Sequence, residues 1–309
     1  MFKKVCSLLL SLAAIVAPVV CLFAFLLKLG YEPLLTNSVS FDAKIDHFRQ
    51  HHIKQVDILA IGSSMTVDNI NSKVITDSLS RSYYNLASWG LQMSDLKNLL
   101  EYYTPRLKPR YVIIASSTRD FESGGNASIK EYLDVPDFLK QFKGYFYYKN
   151  FNSLPAIADR KKMVNAFRKY NIYTSLMFDN YGAILLSKTA APGAGNVKIL
   201  FPTAYTNSQY RSLDSLARFL NQQNVKLIFV QQPVRKDYEQ FLNNPNISLQ
   251  HTSKCEAIVK KNNGIYVNLA HIPEFATDTF FVDQHHLSAQ GSAIATRKIA
   301  TIIKPYFKK

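Results

Sequence analysis

Cysteine is scarce in this chain of 309 residues, and its few positions exclude one class of protein. Two of the three cysteines, Cys6 and Cys21, lie in an apolar run near the N-terminus, which leaves Cys255 alone in the remainder. A single thiol cannot form a disulfide within its own domain, so a disulfide-stapled fold is excluded. We expect Cys255 to be a small buried residue of a helix.

Nucleic-acid signatures are also missing. The sequence has no zinc-ligand spacing, no basic-region helix and no aromatic strand of the RNA-binding type, so no nucleic-acid partner is expected. Acidic residues are fewer than basic ones. The chain has 22 Asp and Glu and 37 Lys and Arg, which gives a formal net charge of +15. This surplus favours anionic partners such as phosphate-bearing polymers, acidic glycans or lipid headgroups, although the same charge spread over helix faces would serve solubility alone.

Charge is absent altogether from residues 5–27, a run long enough to cross a bilayer as a helix. A cleavable signal peptide has a shorter apolar core, so the run predicts an uncleaved signal-anchor over residues 1–28. Lipid attachment at Cys21 is less favoured, because Val20 is not the small residue that such a site needs. Lys3 and Lys4 place the N-terminus in the cytoplasm. The remainder is expected on the periplasmic or outer face of the inner or cytoplasmic membrane.

After this segment, short apolar runs alternate with amphipathic ones. Hydrophobic residues make up 47% of the chain and charged residues 19%, which suits a packed core. The alternation predicts an α/β domain over 29–309, a three-layer α/β/α sandwich with a five-stranded, mainly parallel sheet. An aromatic-rich helical insertion is expected at about 121–205. The predicted strands are 56–61, 83–87, 111–115, 225–231 and 265–269, and the predicted helices include 67–79, 93–103, 212–222 and one that begins after Ser288.

Two distant segments carry the parts of an activated serine. Ser64 ends a Gly-Ser-Ser turn after the first predicted strand, and Asp283 stands three residues before His286 and ahead of the last helix. A hydroxyl becomes a good nucleophile when an oriented imidazole takes its proton. The pattern therefore predicts Ser64 as nucleophile, His286 as base and Asp283 as the group that orients the ring. The alternatives are a plain serine helix cap and, for His285 with His286, a surface or metal-binding pair.

Two further polar segments follow predicted strands. Gly90 stands after the second strand, where glycine lets the backbone approach a ligand closely. With the amide of the nucleophile at a helix N-terminus, it is predicted to form an oxyanion hole. Thr118 and Arg119 follow the third strand and are predicted to bind substrate, with Arg119 facing an anion or developing charge; alternatively, Arg119 pairs with Asp120 or Glu122 on the surface. No metal and no cofactor is predicted.

Taken together, these segments resemble the SGNH (GDSL-like) hydrolase superfamily. Ser64 resembles the nucleophile of that family's Gly-Asp-Ser turn, with Ser63 in place of the Asp. Gly90 resembles the glycine of the second block, and Asp283 and His286 match the Asp-x-x-His block. The resemblance covers about residues 56–303 outside the predicted insertion and implies a flavodoxin-like sheet.

The third family block departs from the pattern. Arg119 stands where the Gly-x-Asn-Asp block has its Asn, which affects the third oxyanion donor. The predicted anchor makes the chain similar to the envelope-modifying branch, which includes the D-alanine transfer protein of teichoic-acid operons and the periplasmic SGNH proteins of polysaccharide O-acetylation.

That similarity implies a membrane-anchored extracytoplasmic serine esterase or O-acyltransferase, which acts on ester-linked acyl groups of a cell-envelope polysaccharide or related polymer. The implied partners are the acylated polymer or an acyl donor, and a membrane-bound O-acyltransferase. One alternative is a non-catalytic SGNH-fold binding or scaffold protein of an envelope-modifying complex, with the Tyr-rich insertion as docking surface. Another is a phosphate- or lipid-binding module driven by the positive charge.

Overall fold

The computed structural model describes residues 2–28, 44, 48, 53–121, 178–186, 207–235, 245–270 and 272–307. Most of the predicted insertion at 121–205 lies outside these residues.

Five parallel strands form the sheet in the order β2-β1-β3-β4-β5. This is the flavodoxin-like order, in which the direction of the connections changes between β1 and β3. The predicted fold class is thereby confirmed. The strands are β1 Ile58–Ala60, β2 Tyr83–Asn85, β3 Tyr111–Ser116, β4 Lys226–Gln231 and β5 Ile265–Asn268.

Helices cover both faces of the sheet, because successive side chains of each buried strand point to opposite faces. Leu59 of β1 packs into a core shared with α4, α5 and α6, whereas its neighbour Ile58 packs into a second core with α3 and α7. The helices are α1 Phe2–Lys28, α2 Ser64–Asn69, α3 Ser72–Leu79, α4 Met93–Leu107, α5 Asn207–Gln222, α6 Pro245–Lys261 and α7 Ala289–Ile303.

The prediction of a single helix over 67–79 is wrong. Ile70 has extended backbone angles, and the Asn71 side chain accepts a hydrogen bond from the Val74 N–H at 3.1 Å, so a new helix begins there. An asparagine that caps a helix start competes with continuation of the preceding helix. The short helix α2 therefore stands by itself between β1 and α3.

The predicted end of α4 at residue 103 is also wrong. The helix continues through Pro105 to Leu107, and Lys108 ends it in the left-handed conformation with its N–H bonded to the Thr104 carbonyl at 2.9 Å. Proline removes one backbone donor, and near a helix end that loss affects a single hydrogen bond. The signal at Pro105 was therefore too weak to stop the helix.

Residues 178–186, part of the predicted insertion, lie beside the edge strand β2 and the helix α2. The Asn85 N–H donates to the Tyr181 carbonyl at 2.7 Å, and the Ile184 N–H donates to the Val67 carbonyl at 3.1 Å. The Leu186 carbonyl accepts a hydrogen bond from the Ala289 N–H at 2.7 Å. This segment therefore links β2, α2 and the start of α7.

Helix α1 is long and apolar enough to span a membrane. It contains 27 residues. Its most apolar part, Lys4–Leu22, has a mean hydropathy of 2.6, and none of that part is buried against the rest of the chain. If the helix were not inserted in a membrane, apolar side chains such as Leu10, which is 71% exposed, would be in contact with water.

Candidate active site

Ser64 stands at the first position of α2, directly beyond the carboxyl end of β1. Ser63 precedes it in an extended conformation and caps the helix, with its Oγ accepting from the Met65 N–H at 3.1 Å. Gly62 makes the turn tight, because a Cβ there would collide with the Thr66 hydroxyl. That hydroxyl donates to the Ala115 carbonyl of β3 at 2.8 Å, which fixes the start of α2 against the sheet.

His286 is carried by a loop that leads from the sheet into α7. The Asp283 Oδ1 accepts hydrogen bonds from the backbone N–H groups of His285 at 2.9 Å and His286 at 2.8 Å. An aspartate that caps its own following residues in this way holds a turn rigidly. Ser288 then caps α7, its Oγ accepting from the Gly291 N–H at 3.2 Å, as predicted.

The structure brings Ser64, His286 and Asp283 into one line. The His286 Nε2 lies 2.8 Å from the Ser64 Oγ, and the His286 Nδ1 lies 2.7 Å from the Asp283 Oδ2. A carboxylate at Nδ1 keeps the proton on that nitrogen, so Nε2 presents its lone pair to the hydroxyl. The arrangement has the connectivity of a serine activated by an oriented imidazole.

Electrostatics in this line favour a charged pair. Burial opposes the charged form of His286, but the Asp283 carboxylate and its hydrogen bond, followed by the Asp68 carboxylate, raise the pKa of His286 to about 9. Burial likewise tends to raise the pKa of Asp283, but the His286 charge and hydrogen bond, with those of the two backbone N–H groups, hold it well below its usual range. The line is therefore built to hold an imidazolium against a carboxylate.

A cleft of about 360 Å³ opens over the Ser64 hydroxyl. Gly90 lies on its wall with a φ of +73°, a backbone conformation that favours glycine. Within the described residues, neither the Ser64 N–H nor the Gly90 N–H donates a hydrogen bond to another protein atom. Both amides are thus available to a group bound in the cleft.

Arg119 lies on another wall of the cleft, with an exposed side chain. Its Nη1 is 3.1 Å from the His285 Nε2. Asp120 is buried and accepts instead from the Ser116 hydroxyl at 2.8 Å and the Ser117 N–H at 3.0 Å. In the part of the chain that the structure describes, no carboxylate forms an ion pair with Arg119, which leaves its charge facing the cleft.

Thr118, the other predicted substrate contact, is placed differently. Its side chain is buried, and it is not among the residues that line the cleft. Thr118 begins the 3-10 turn Thr118–Phe121, which carries Arg119 to the cleft wall. No group of three or more His, Cys, Asp or Glu among the described residues is arranged to hold a metal ion.

Three residues around the Ser64–His286–Asp283 group were not predicted from the sequence. Asn69 of α2 holds the loop that carries the imidazole, since its Oδ1 accepts from the Leu287 N–H at 2.8 Å and its Nδ2 donates to the His285 carbonyl at 3.2 Å. Asp68 lies beside the imidazole, and Lys44 is buried in the same region. The available signal in the sequence was the pair of consecutive polar residues Asp68 and Asn69, both of which are buried in the structure.

Comparisons with known proteins do not decide the function. No family model matches the sequence, and a search of curated proteins gives no match. A lipase/acylhydrolase from Enterococcus faecalis aligns with a TM-score of 0.42 and 12% identity, over 81% of this chain and 96% of that one. A GDSL-like lipase from Bacteroides thetaiotaomicron aligns with a TM-score of 0.42 and 10% identity, over 86% of this chain and 99% of that one.

A third solved structure, a catalytic mutant of the acetylxylan esterase Axe2 from Geobacillus stearothermophilus, aligns with a TM-score of 0.40 and 14% identity. That alignment covers 81% of this chain and 94% of the other. Likeness at these identities and TM-scores assigns no function to this chain.

Proposed function

We propose that this protein is a membrane-anchored serine esterase or O-acyltransferase, which acts on ester-linked acyl groups of a cell-envelope polysaccharide or related polymer. One observation carries the proposal: the Ser64 Oγ, the imidazole of His286 and the Asp283 carboxylate form a continuous hydrogen-bonded line, with contacts of 2.8 Å and 2.7 Å. An activated hydroxyl at the base of an open cleft suits attack on an acyl carbonyl.

In the first half-reaction, the Ser64 Oγ attacks the carbonyl carbon of the ester while its proton passes to the His286 Nε2. The carbonyl π electrons move to the oxygen, which becomes an oxyanion. Collapse of this intermediate breaks the bond to the leaving alkoxide, which takes the proton back from His286, and an acyl-Ser64 ester remains. In the second half-reaction, water or a sugar hydroxyl attacks that ester by the same proton route.

The amides of Ser64 and Gly90 are the proposed oxyanion donors. The Ser64 N–H is at the first position of α2, where helix geometry leaves backbone donors unused and the helix dipole is positive. Gly90, which also lines the cleft, adds a second donor. Each such donor contributes about 3 kcal/mol to stabilisation of the intermediate in known enzymes.

Arg119 is the proposed substrate-binding cation. Its guanidinium faces the cleft without a carboxylate partner among the described residues, and it replaces the asparagine of the resembled family block. The formal charge of +15 and the apolar helix α1 support a polymer substrate beside a membrane. A membrane-bound O-acyltransferase remains the partner that the resemblance implies.

The presence of Arg119 where the resembled family has an asparagine favours the second candidate, a non-catalytic binding or scaffold protein. A fluorophosphonate probe separates the two, because only an activated serine reacts with it. With the full chain in detergent, we expect labelling of the wild type and turnover of p-nitrophenyl acetate. Ser64→Ala should abolish both.

Ser63→Ala is the matched control, since it removes a neighbouring hydroxyl that caps α2 and lies outside the proposed proton route. We expect this variant to lose about 1 kcal/mol of stability and to keep its labelling. Equal labelling of Ser64→Ala and wild type would remove Ser64 as nucleophile. A folded wild type that neither reacts nor turns over ester would support the scaffold role.

A further inference from the structure

Asp68 brings a second carboxylate to the catalytic imidazole. It lies one helical turn after Ser64 in α2, so both side chains are on the same face of that helix. The Asp68 Oδ2 is 4.0 Å from the His286 Nε2, and the Asp68 side chain is only 1% exposed. The imidazole thus lies between two carboxylates, with Asp283 at Nδ1 and Asp68 beside Nε2.

A buried carboxylate is costly unless other groups compensate its charge. Four groups act on the charge of Asp68. His286 and Asp283 belong to the loop before α7. The Trp89 indole follows β2, and the Lys44 ammonium comes from a residue that precedes β1 in the chain. The Lys44 Nζ is itself buried, and it donates to the Asn85 carbonyl at 3.0 Å and to the Gly182 carbonyl. The two backbone acceptors fix this cation close to Asp68.

Burial lowers the pKa of Lys44 to about 7, and Lys44 also faces the Asp179 carboxylate, so it does not by itself compensate the charge of Asp68. An imidazolium at His286 places a further positive charge beside Asp68. The side chains at the cleft rim that also act on His286 are Arg119, which disfavours the imidazolium, and the buried Asp120.

We propose that Asp68 is a positioning residue of the site, a second carboxylate that holds the positive charge acquired by His286 when it takes the Ser64 proton. This inference rests on the proposed function, because the proton transfer belongs to that mechanism. Charge that develops in the transition state would meet a fixed counter-charge, which needs no reorganisation at the moment of reaction. Asp68 itself contacts the imidazole and not the substrate.

The charges of the two groups act on each other at this distance. Burial raises the pKa of Asp68 to about 7, while the charges of His286 and Lys44 pull it down. Asp68 in turn contributes, after Asp283, to the raised pKa of His286. The two groups therefore titrate as a coupled pair.

The test is the pKa of His286 in Asp68→Asn, which keeps the shape of the side chain and removes its charge. The full chain in detergent is labelled with ¹³C-histidine, and a His286→Gln variant identifies the resonance. We expect the pKa of His286 to fall by about 1 or more in Asp68→Asn. The acidic limb of fluorophosphonate labelling should move to lower pH by the same amount, and the plateau rate should fall.

Asp77→Asn is the matched control. Asp77 is an exposed carboxylate of α3 that pairs with Lys73 at 2.8 Å and is not among the residues that line the cleft. It should leave both the His286 resonance and the pH profile unchanged. An unchanged His286 pKa in Asp68→Asn would overturn the inference.

A measurement on the wild type covers the case in which Asp68→Asn does not fold. The carboxyl carbon of Asp68, observed with ¹³C-aspartate, should titrate well above the ordinary value of about 4 and should shift again when His286 titrates. An ordinary and independent titration would overturn the inference. The proposed function fails separately, through absent labelling or turnover, whereas both titrations can be followed in a protein without activity.

Discussion

At the scale of single residues, the imidazole of His286 sets the pH at which the site can work. General-base catalysis needs the neutral ring, yet the two carboxylates around it favour the imidazolium. A raised pKa means that the folded protein keeps the proton to higher pH than a free histidine does. The neutral, reactive form therefore accumulates only as the pH rises through that raised value.

We expect the rate of fluorophosphonate labelling to increase with pH from 6, to reach half its maximum near pH 9 and to level off only above that pH. The reason is the His286 pKa of about 9, which leaves the base mostly protonated at neutral pH. Labelling rates measured from pH 6 to 10, together with thermal unfolding at each pH to show that the fold persists, would check this. A profile that is already flat at pH 7 would contradict the assigned protonation of His286.

The Ser64, His286 and Asp283 side chains were predictable from the sequence, but the residues that surround them were not. Ser64 and the Asp283–His286 pair have a recognisable spacing, because the chemistry needs those types next to a strand end and a helix start. Asp68 and Lys44 carry no such local signal. Their meaning depends on burial and on a contact between segments distant in the sequence, and neither is visible before the chain is folded.

At the scale of elements, the short helix α2 positions both the nucleophile and the loop that carries the base. Its N-terminus presents Ser64, and its C-terminal residue Asn69 accepts from the Leu287 N–H and donates to the His285 carbonyl, so it holds the loop of His286. One rigid element thus sets the distance between nucleophile and base. The prediction of one long helix missed this, because the break at Ile70 and Asn71 produces the separate element.

Asn69→Ala should loosen the loop that carries His286. We expect a loss of about 1–3 kcal/mol in the free energy of unfolding, because two buried backbone groups lose their partner. Labelling by the fluorophosphonate probe should slow by about tenfold or more, since a small displacement of the base weakens catalysis strongly. Chemical denaturation and labelling kinetics on the full chain would measure the two effects.

Asn221→Ala provides the comparison for that variant. Asn221 is an exposed residue of α5, whose Oδ1 accepts from Asn263 at 3.3 Å. We expect stability and labelling to stay close to those of the wild type. Equal behaviour of Asn69→Ala and Asn221→Ala would mean that the loop is held in place without Asn69.

At the scale of the whole molecule, the sheet order explains why the site is where it is. The order β2-β1-β3-β4-β5 opens a crevice at the carboxyl ends of β1 and β3. Ser64 follows β1 and Arg119 follows β3, and both line the cleft.

The strands were predictable from their short apolar runs, because burial on both faces demands such runs. The path by which the last loop crosses from β5 back to α2 was not, since no local pattern encodes it.

Helix α1 gives the molecule its remaining large feature, an apolar surface unlike the rest of the described chain. We expect the full chain to sediment with membranes after extraction with high salt and alkaline carbonate, because burial of the Lys4–Leu22 segment in lipid is strongly favourable.

Leu12→Arg places a charge near the middle of that segment and should shift protein into the soluble fraction, at a cost of about 3 kcal/mol for insertion. Ile302→Arg alters a similarly exposed side chain on α7 and should leave the distribution unchanged. Release of the wild type by salt alone would indicate that the protein is held by its positive charge and not by α1.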